Sequence, residues 1–118
     1  NRNFAERLAK RGFVRIEGIV PNGQGALDEN QLEQLDVLAE SLASFAGQQV
    51  YVVCHLYGSM NVDKLLERSE ECAELAAERI AEVSGVTTIP FGTGPMAPTE
   101  ESTDSRLELV LPSRLRSE

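Results

Sequence analysis

Gln49-Val50-Tyr51-Val52-Val53-Cys54-His55-Leu56 is followed by Tyr57-Gly58-Ser59-Met60 and then by the long stretch from Asn61 to Ser84. The first segment is a near-continuous apolar run, which suits a central strand covered on at least one face. Gly58 and Ser59 turn the chain. In residues 61–84, Val62, Leu65 or Leu66, Ser69, Cys72, Ala73, Ala76, Ile80 and Val83 recur at helical spacing and share a face. Glu67, Glu70, Glu71, Glu74, Glu78 and Glu82 take the remaining positions, and Gly85 is placed to end the helix. Residues 86–91 (VTTIPF) read as another strand. Pro90 has no N–H to give to a ladder, so an edge position is expected. A strand, a helix and a strand in this order imply a right-handed crossover between parallel strands.

Working outward, residues 3–11 (NFAERLAKR) predict a short helix stopped by Gly12. Residues 13–20 (FVRIEGIV) alternate at first and are rich in β-branched residues, which predicts a strand. Pro21-Asn22-Gly23-Gln24-Gly25 breaks it. Residues 28–46 carry Leu32, Leu35, Leu38, Ala39, Leu42 and Phe45 on one stripe, with Asp28 at the N-terminal end and Gly47 past the C-terminal end. Residues 92–104 read as a Gly/Pro/Ser-rich loop, with Gly92-Thr93-Gly94-Pro95 as a turn. Residues 105–111 (SRLELVL) read as the last strand, stopped by Pro112. The order is α, β, α, β, α, β, β, and each β-α-β passage implies a right-handed crossover and a parallel neighbour. The last two strands are expected to pair antiparallel across the long loop, giving a mixed sheet.

At 118 residues the chain is one domain by length, and it can bury roughly two-thirds of its unfolded surface. Its net charge of −8 opposes phosphate backbones, so nucleic acid and anionic membrane surfaces are poor partners. No apolar run reaches the ~20 residues of a membrane helix, and no insertion by this segment is expected. The chain opens on Asn1-Arg2 with no charged-then-apolar leader, which reads as a processed protein or an excised domain. His55 is the single histidine, and no Cys/His cluster accompanies it, so no metal or other cofactor is expected. No G-x-S-x-G elbow is present. Cys54 and His55, adjacent on a strand, point to opposite faces and do not form a dyad. These readings argue against an enzyme.

Four motifs in order then carry a resemblance. Cys54-His55-Leu56-Tyr57 stands where the OmpA-like, peptidoglycan-associated family has G-H-T-D. Arg68-Ser69-Glu70-Glu71-Cys72-Ala73 stands where that family has a helix bearing L-S-x-x-R-A. Gly92-Thr93-Gly94-Pro95-Met96-Ala97-Pro98 matches G-x-G-x-x-x-P, and Asp104-Ser105-Arg106-Leu107-Glu108-Leu109 looks like the closing N-R-R-V-E-[IL] strand. The resemblance spans residues 13–111. It implies an α/β sandwich: a β-α-β-α-β-β mixed four-stranded sheet with helices packed on it, here preceded by a short N-terminal helix. The expected organisation is an N-terminal helix or linker at 1–12, the OmpA-like domain at 13–112 and a polar tail at 113–118.

The family clamps the diaminopimelate of peptidoglycan between the motif Asp and the helix Arg, a carboxylate for an ammonium and a guanidinium fork for a carboxylate. In this chain those positions are Tyr57 and Cys72, the family's loop Asn falls near Leu65, and the first Arg of the closing motif is Ser105. The loop before that strand is shorter than the family's. By family position the ligand-binding candidates are His55, Tyr57, Ser69, Cys72 and Arg106. Tyr57 can fill the lost carboxylate pocket or stack on a ligand. Arg106, with Arg68 and Lys64, can form a reduced carboxylate patch or be ordinarily paired. The resemblance also brings Cys54 and Cys72 near one another, as two buried thiols or as a disulfide. Losing a charged partner costs ~2–5 kcal/mol, so peptidoglycan binding is expected to be weak or lost. The resemblance implies a periplasmic cell-envelope domain. The competing expectation is an interaction or structural domain serving an envelope protein or its own self-association.

Overall fold

The computed structural model describes residues 2–96 and 104–112, so the tail at 113–118 and most of the long loop lie outside the described residues. The elements are α1 (Arg2–Arg11), β1 (Phe13–Arg15), α2 (Glu29–Glu40), a 3-10 turn (Ala43–Phe45), β2 (Gln49–His55), α3 (Val62–Ser84), β3 (Thr87–Gly94) and β4 (Arg106–Val110). They build one mixed four-stranded sheet in the order β1-β4-β2-β3. This is the α/β sandwich expected, with helices packed on the sheet.

The pairing of the last two strands differs from expectation. β3 pairs parallel with β2, and β4 lies antiparallel between β1 and β2. Burial explains the arrangement. Every residue of β4 is buried, with Leu107 and Leu109 in the helix-side core, so it belongs in the middle of a sheet. β3 leaves six of its eight residues at least partly exposed and contains Pro90, so it stays at the edge as predicted. β1 and β2 run in the same direction, but β4 separates them.

Element ends moved as well. β1 stops at Arg15 because Gly18 adopts φ +81° and turns the chain out of the sheet. Ile16 still donates its N–H to the Leu107 carbonyl, and Ile16 and Ile19 remain buried. α2 ends at Glu40, yet Leu42 and Phe45 beyond it are buried on the predicted stripe. β3 runs on to Gly94, so Gly92-Thr93-Gly94 is strand and the turn begins at Pro95.

Strand alternation divides the side chains between two faces. Val14, Val50, Val52, Cys54, Leu107 and Leu109 meet Leu35 and Ala39 of α2 and Cys72, Ala73, Ala76, Ala77 and Ile80 of α3. Phe4 and Leu8 of α1 join the same core. The opposite face carries Phe13, Val53 and Val110, with Tyr51 packed against them. Among the described residues no helix is long and apolar enough to cross a membrane.

Local chemistry holds the helices in place. Asp28 accepts from the Gln31 N–H at 2.7 Å, and Gln31 Oε1 accepts from the Asp28 N–H at 3.1 Å, a reciprocal cap at the start of α2. Replacing Asp28 with Ala is expected to cost about 1 kcal/mol, read as a lower urea midpoint at unchanged slope. An unchanged midpoint would mean that the cap adds nothing beyond α2 packing. Arg79 of α3 donates through Nε to Asp36 Oδ1 of α2 at 3.0 Å, and this bond holds the Asp36 carboxyl below the usual carboxylate range.

Candidate functional site

The C-terminal ends of β2 and β3, the start of β4 and the first half of α3 converge where the resemblance puts the ligand. Across the ladders His55 sits opposite Arg106 on β4 and Gly94 on β3. The β2–β3 register slips between Cys54 and His55, so Thr93 is an extra residue in a bulge. A bulge re-aims a side chain. Here it brings Thr93 Oγ1 within 2.9 Å of His55 Nδ1.

From His55 a polar chain crosses the sheet. Its Nε2 lies 2.9 Å from Glu108 Oε1, and Glu108 Oε2 accepts from Arg106 Nε at 2.7 Å. Arg106 Nη1 donates to the Asp104 carbonyl at 2.9 Å, and Arg15 of β1 binds the Asp104 carboxylate. Thr93, His55, Glu108, Arg106, Asp104 and Arg15 thus link all four strands. His55, Arg106 and Glu108 have no solvent-exposed surface. Burial works against the Arg106 charge, but the Glu108 hydrogen bond and the charges of Glu108 and Asp104 outweigh it, so its pKa rises. The Arg15 hydrogen bond holds the Asp104 carboxyl below its ordinary value.

The chain of contacts from Thr93 to Glu108 has the outline of a proton relay, but it offers no open nucleophile. Thr93 is 6% exposed, and its hydroxyl also lies 3.3 Å from the Cys54 carbonyl. Sealed in this way, the group ties the sheet together.

Each predicted site residue has a defined place. Ser69 is buried on α3; its Oγ donates to the Leu66 carbonyl and accepts from the Gly94 N–H, both at 2.9 Å. It thereby pins the end of β3 under α3. The contact is so close that a Cβ on Gly92 would lie 2.2 Å from the Glu70 nitrogen and 2.5 Å from the Ser69 carbonyl carbon. The G-x-G spacing therefore serves helix–strand packing. Cys72 faces inward against Cys54, and both are free, buried thiols joined by a hydrogen bond, with no disulfide between them. That bond, with burial, pushes the Cys54 thiol far up. Tyr57 is half-buried and anchored through its backbone: its N–H donates to Ser105 Oγ at 2.9 Å, and Ser105 Oγ donates back to its carbonyl at 3.2 Å.

Arg106 does not gather with Arg68 and Lys64 into a patch. Lys64 is exposed and pairs with Glu67 at 3.5 Å along its own helix, while Arg68 packs at Gly25 in the loop after β1. Leu65, near the family's Asn position, is buried. Among the described residues no group of three His, Cys, Asp or Glu side chains could hold a metal ion. Sequence reading missed Thr93 and Glu108 as partners of His55. The two-residue spacing of Arg106 and Glu108, which puts both on one strand face, was the available signal.

No family model matches the chain, and no curated protein matches it. Solved structures do. The chain shares its fold with an outer membrane protein from Borrelia burgdorferi B31. The TM-score is 0.59 at 13% identity, over 84% of this chain and 83% of the other. The periplasmic domain of Helicobacter pylori MotB also matches, with a TM-score of 0.46 at 11% identity over 89% of this chain and 78% of that one. At that distance the second match adds nothing to the fold assignment.

Proposed function

We propose that this is a non-catalytic domain of the bacterial cell envelope, periplasmic in location and OmpA-like in kind, whose peptidoglycan site has degenerated so that wall binding is weak or absent. The observation that carries this reading is the fate of the guanidiniums. Cys72, at the position of the family's helix Arg, is turned into the core against Cys54. Arg106, the guanidinium that remains on the closing motif, is fully buried and committed to Glu108 and Asp104. Tyr57 replaces the carboxylate that would meet an ammonium. The shared fold with an outer membrane protein supports an envelope setting.

Amide NMR titration with a soluble diaminopimelate-containing muropeptide tests the proposal. No saturable shifts at residues 55–60, 68–73 and 104–107 are expected at about 1 mM ligand, a concentration equivalent to about −4 kcal/mol of binding. Saturation well below that concentration would overturn the degenerate-site reading and show that new contacts replace the old. Full silence at higher concentrations would turn attention to a protein partner.

A further inference from the structure

We propose that the cleft between α1 and the outer edge of β1 binds a small ligand through a single oxyanion, a carboxylate or a phosphate. The cleft has a volume of about 170 Å³ and is lined by Arg7, Arg11, Phe13, Val14, Arg15 and Glu17. Three arginines thus line one cleft in a chain whose charge is −8. Like charges do not converge without cause, since their repulsion opposes folding unless an anion or counter-charge offsets it.

The three arginines differ in how they are held. Arg15 is tied to the Asp104 carboxylate. The Arg11 guanidinium lies over the Phe13 ring, 4.8 Å from its centroid, a cation–π contact that helps to hold it at the cleft. Arg7 stands one helical turn before Arg11 on α1, on the same side. Among the described residues neither Arg7 nor Arg11 has a carboxylate partner. Two arginines that line one cleft without a carboxylate partner can offer guanidinium forks that match the planar oxygens of a carboxylate or the faces of a phosphate. Glu17 on the wall limits the negative charge the cleft accepts, which favours one oxyanion over a polyanion.

The test is an NMR titration of the whole chain, following amides and arginine Nε–H signals. Inorganic phosphate and succinate are the probes, and sodium chloride at matched ionic strength is the control. Saturable shifts at residues 7, 11 and 13–15 with phosphate or succinate but not chloride are expected, and the probe that saturates identifies the class. R7Q and R11Q should each weaken binding by about fivefold, and the double variant should abolish saturation. Gln keeps the helix propensity of Arg, so an unchanged amide spectrum elsewhere will show that the fold is intact. Shifts that track ionic strength alike in all three salts, or that persist in the double variant, would overturn the proposal.

Discussion

Replacement of Arg106 by Ala is expected to lower stability by about 3–5 kcal/mol, because it leaves the Glu108 carboxylate buried without its counter-charge. The expected fall in Tm is about 10–20 °C for a domain of this size. The chain of causes is short. Glu108 and Arg106 lie two apart on β4, so their side chains share the face of the sheet opposite α2 and α3. Neither has solvent-exposed surface, so water cannot solvate whichever charge is left alone. His55, hydrogen-bonded to the same carboxylate, is disturbed in turn. The double variant R106M/E108Q removes both charges, keeps the Arg stem as an apolar chain and leaves an acceptor for His55. It should recover much of the loss, since replacing a buried ion pair as a unit is far milder than breaking it. Urea unfolding followed by circular dichroism measures both variants. If R106A loses less than about 1 kcal/mol, the pair behaves as a surface ion pair and the buried network contributes little.

Gly92→Ala is expected to cost about 3 kcal/mol or more, at the upper end of overpacking substitutions. The new methyl would fall 2.2 Å from the Glu70 nitrogen and 2.5 Å from the Glu70 Cα. Those atoms belong to the backbone of α3 and cannot swing aside as a side chain would. Moving α3 would break the Ser69 bond to Gly94 and open the Cys54–Cys72 contact. Gly23 supplies the control, because a Cβ there meets nothing within 4 Å. Gly23→Ala is expected to be neutral or to stabilise by up to about 1 kcal/mol through a less flexible unfolded chain. Similar midpoints for the two variants would show that β3 can move away from α3 without penalty, and that the close approach at Gly92 is not a constraint of the fold.

The elements of the fold were legible because periodicity is a local property. The apolar run at 49–56 became β2, the stripe through Leu65, Cys72, Ala76 and Ile80 became α3, and Pro90 marked β3 as an edge strand. Asp28 and Gly85 ended helices as their side chains and backbone freedom dictate; Gly85 takes φ +81° at the close of α3. Strand order was not legible. Which strand enters the gap between β1 and β2 depends on the summed burial of β4 against two helices and two neighbours, and no local window contains that sum. The candidate site divided along the same line. The resemblance to the OmpA-like family named His55, Tyr57, Ser69, Cys72 and Arg106 as candidates and set Tyr57 and Cys72 where that family has its charged clamp. Only the tertiary structure decided what those residues touch. The bulge at Thr93 turns a hydroxyl toward His55, and the antiparallel return of β4 delivers Glu108 to its other side. Hydrogen bonds between residues dozens of positions apart depend on register and bulge geometry, which the chain acquires only as the strands pair.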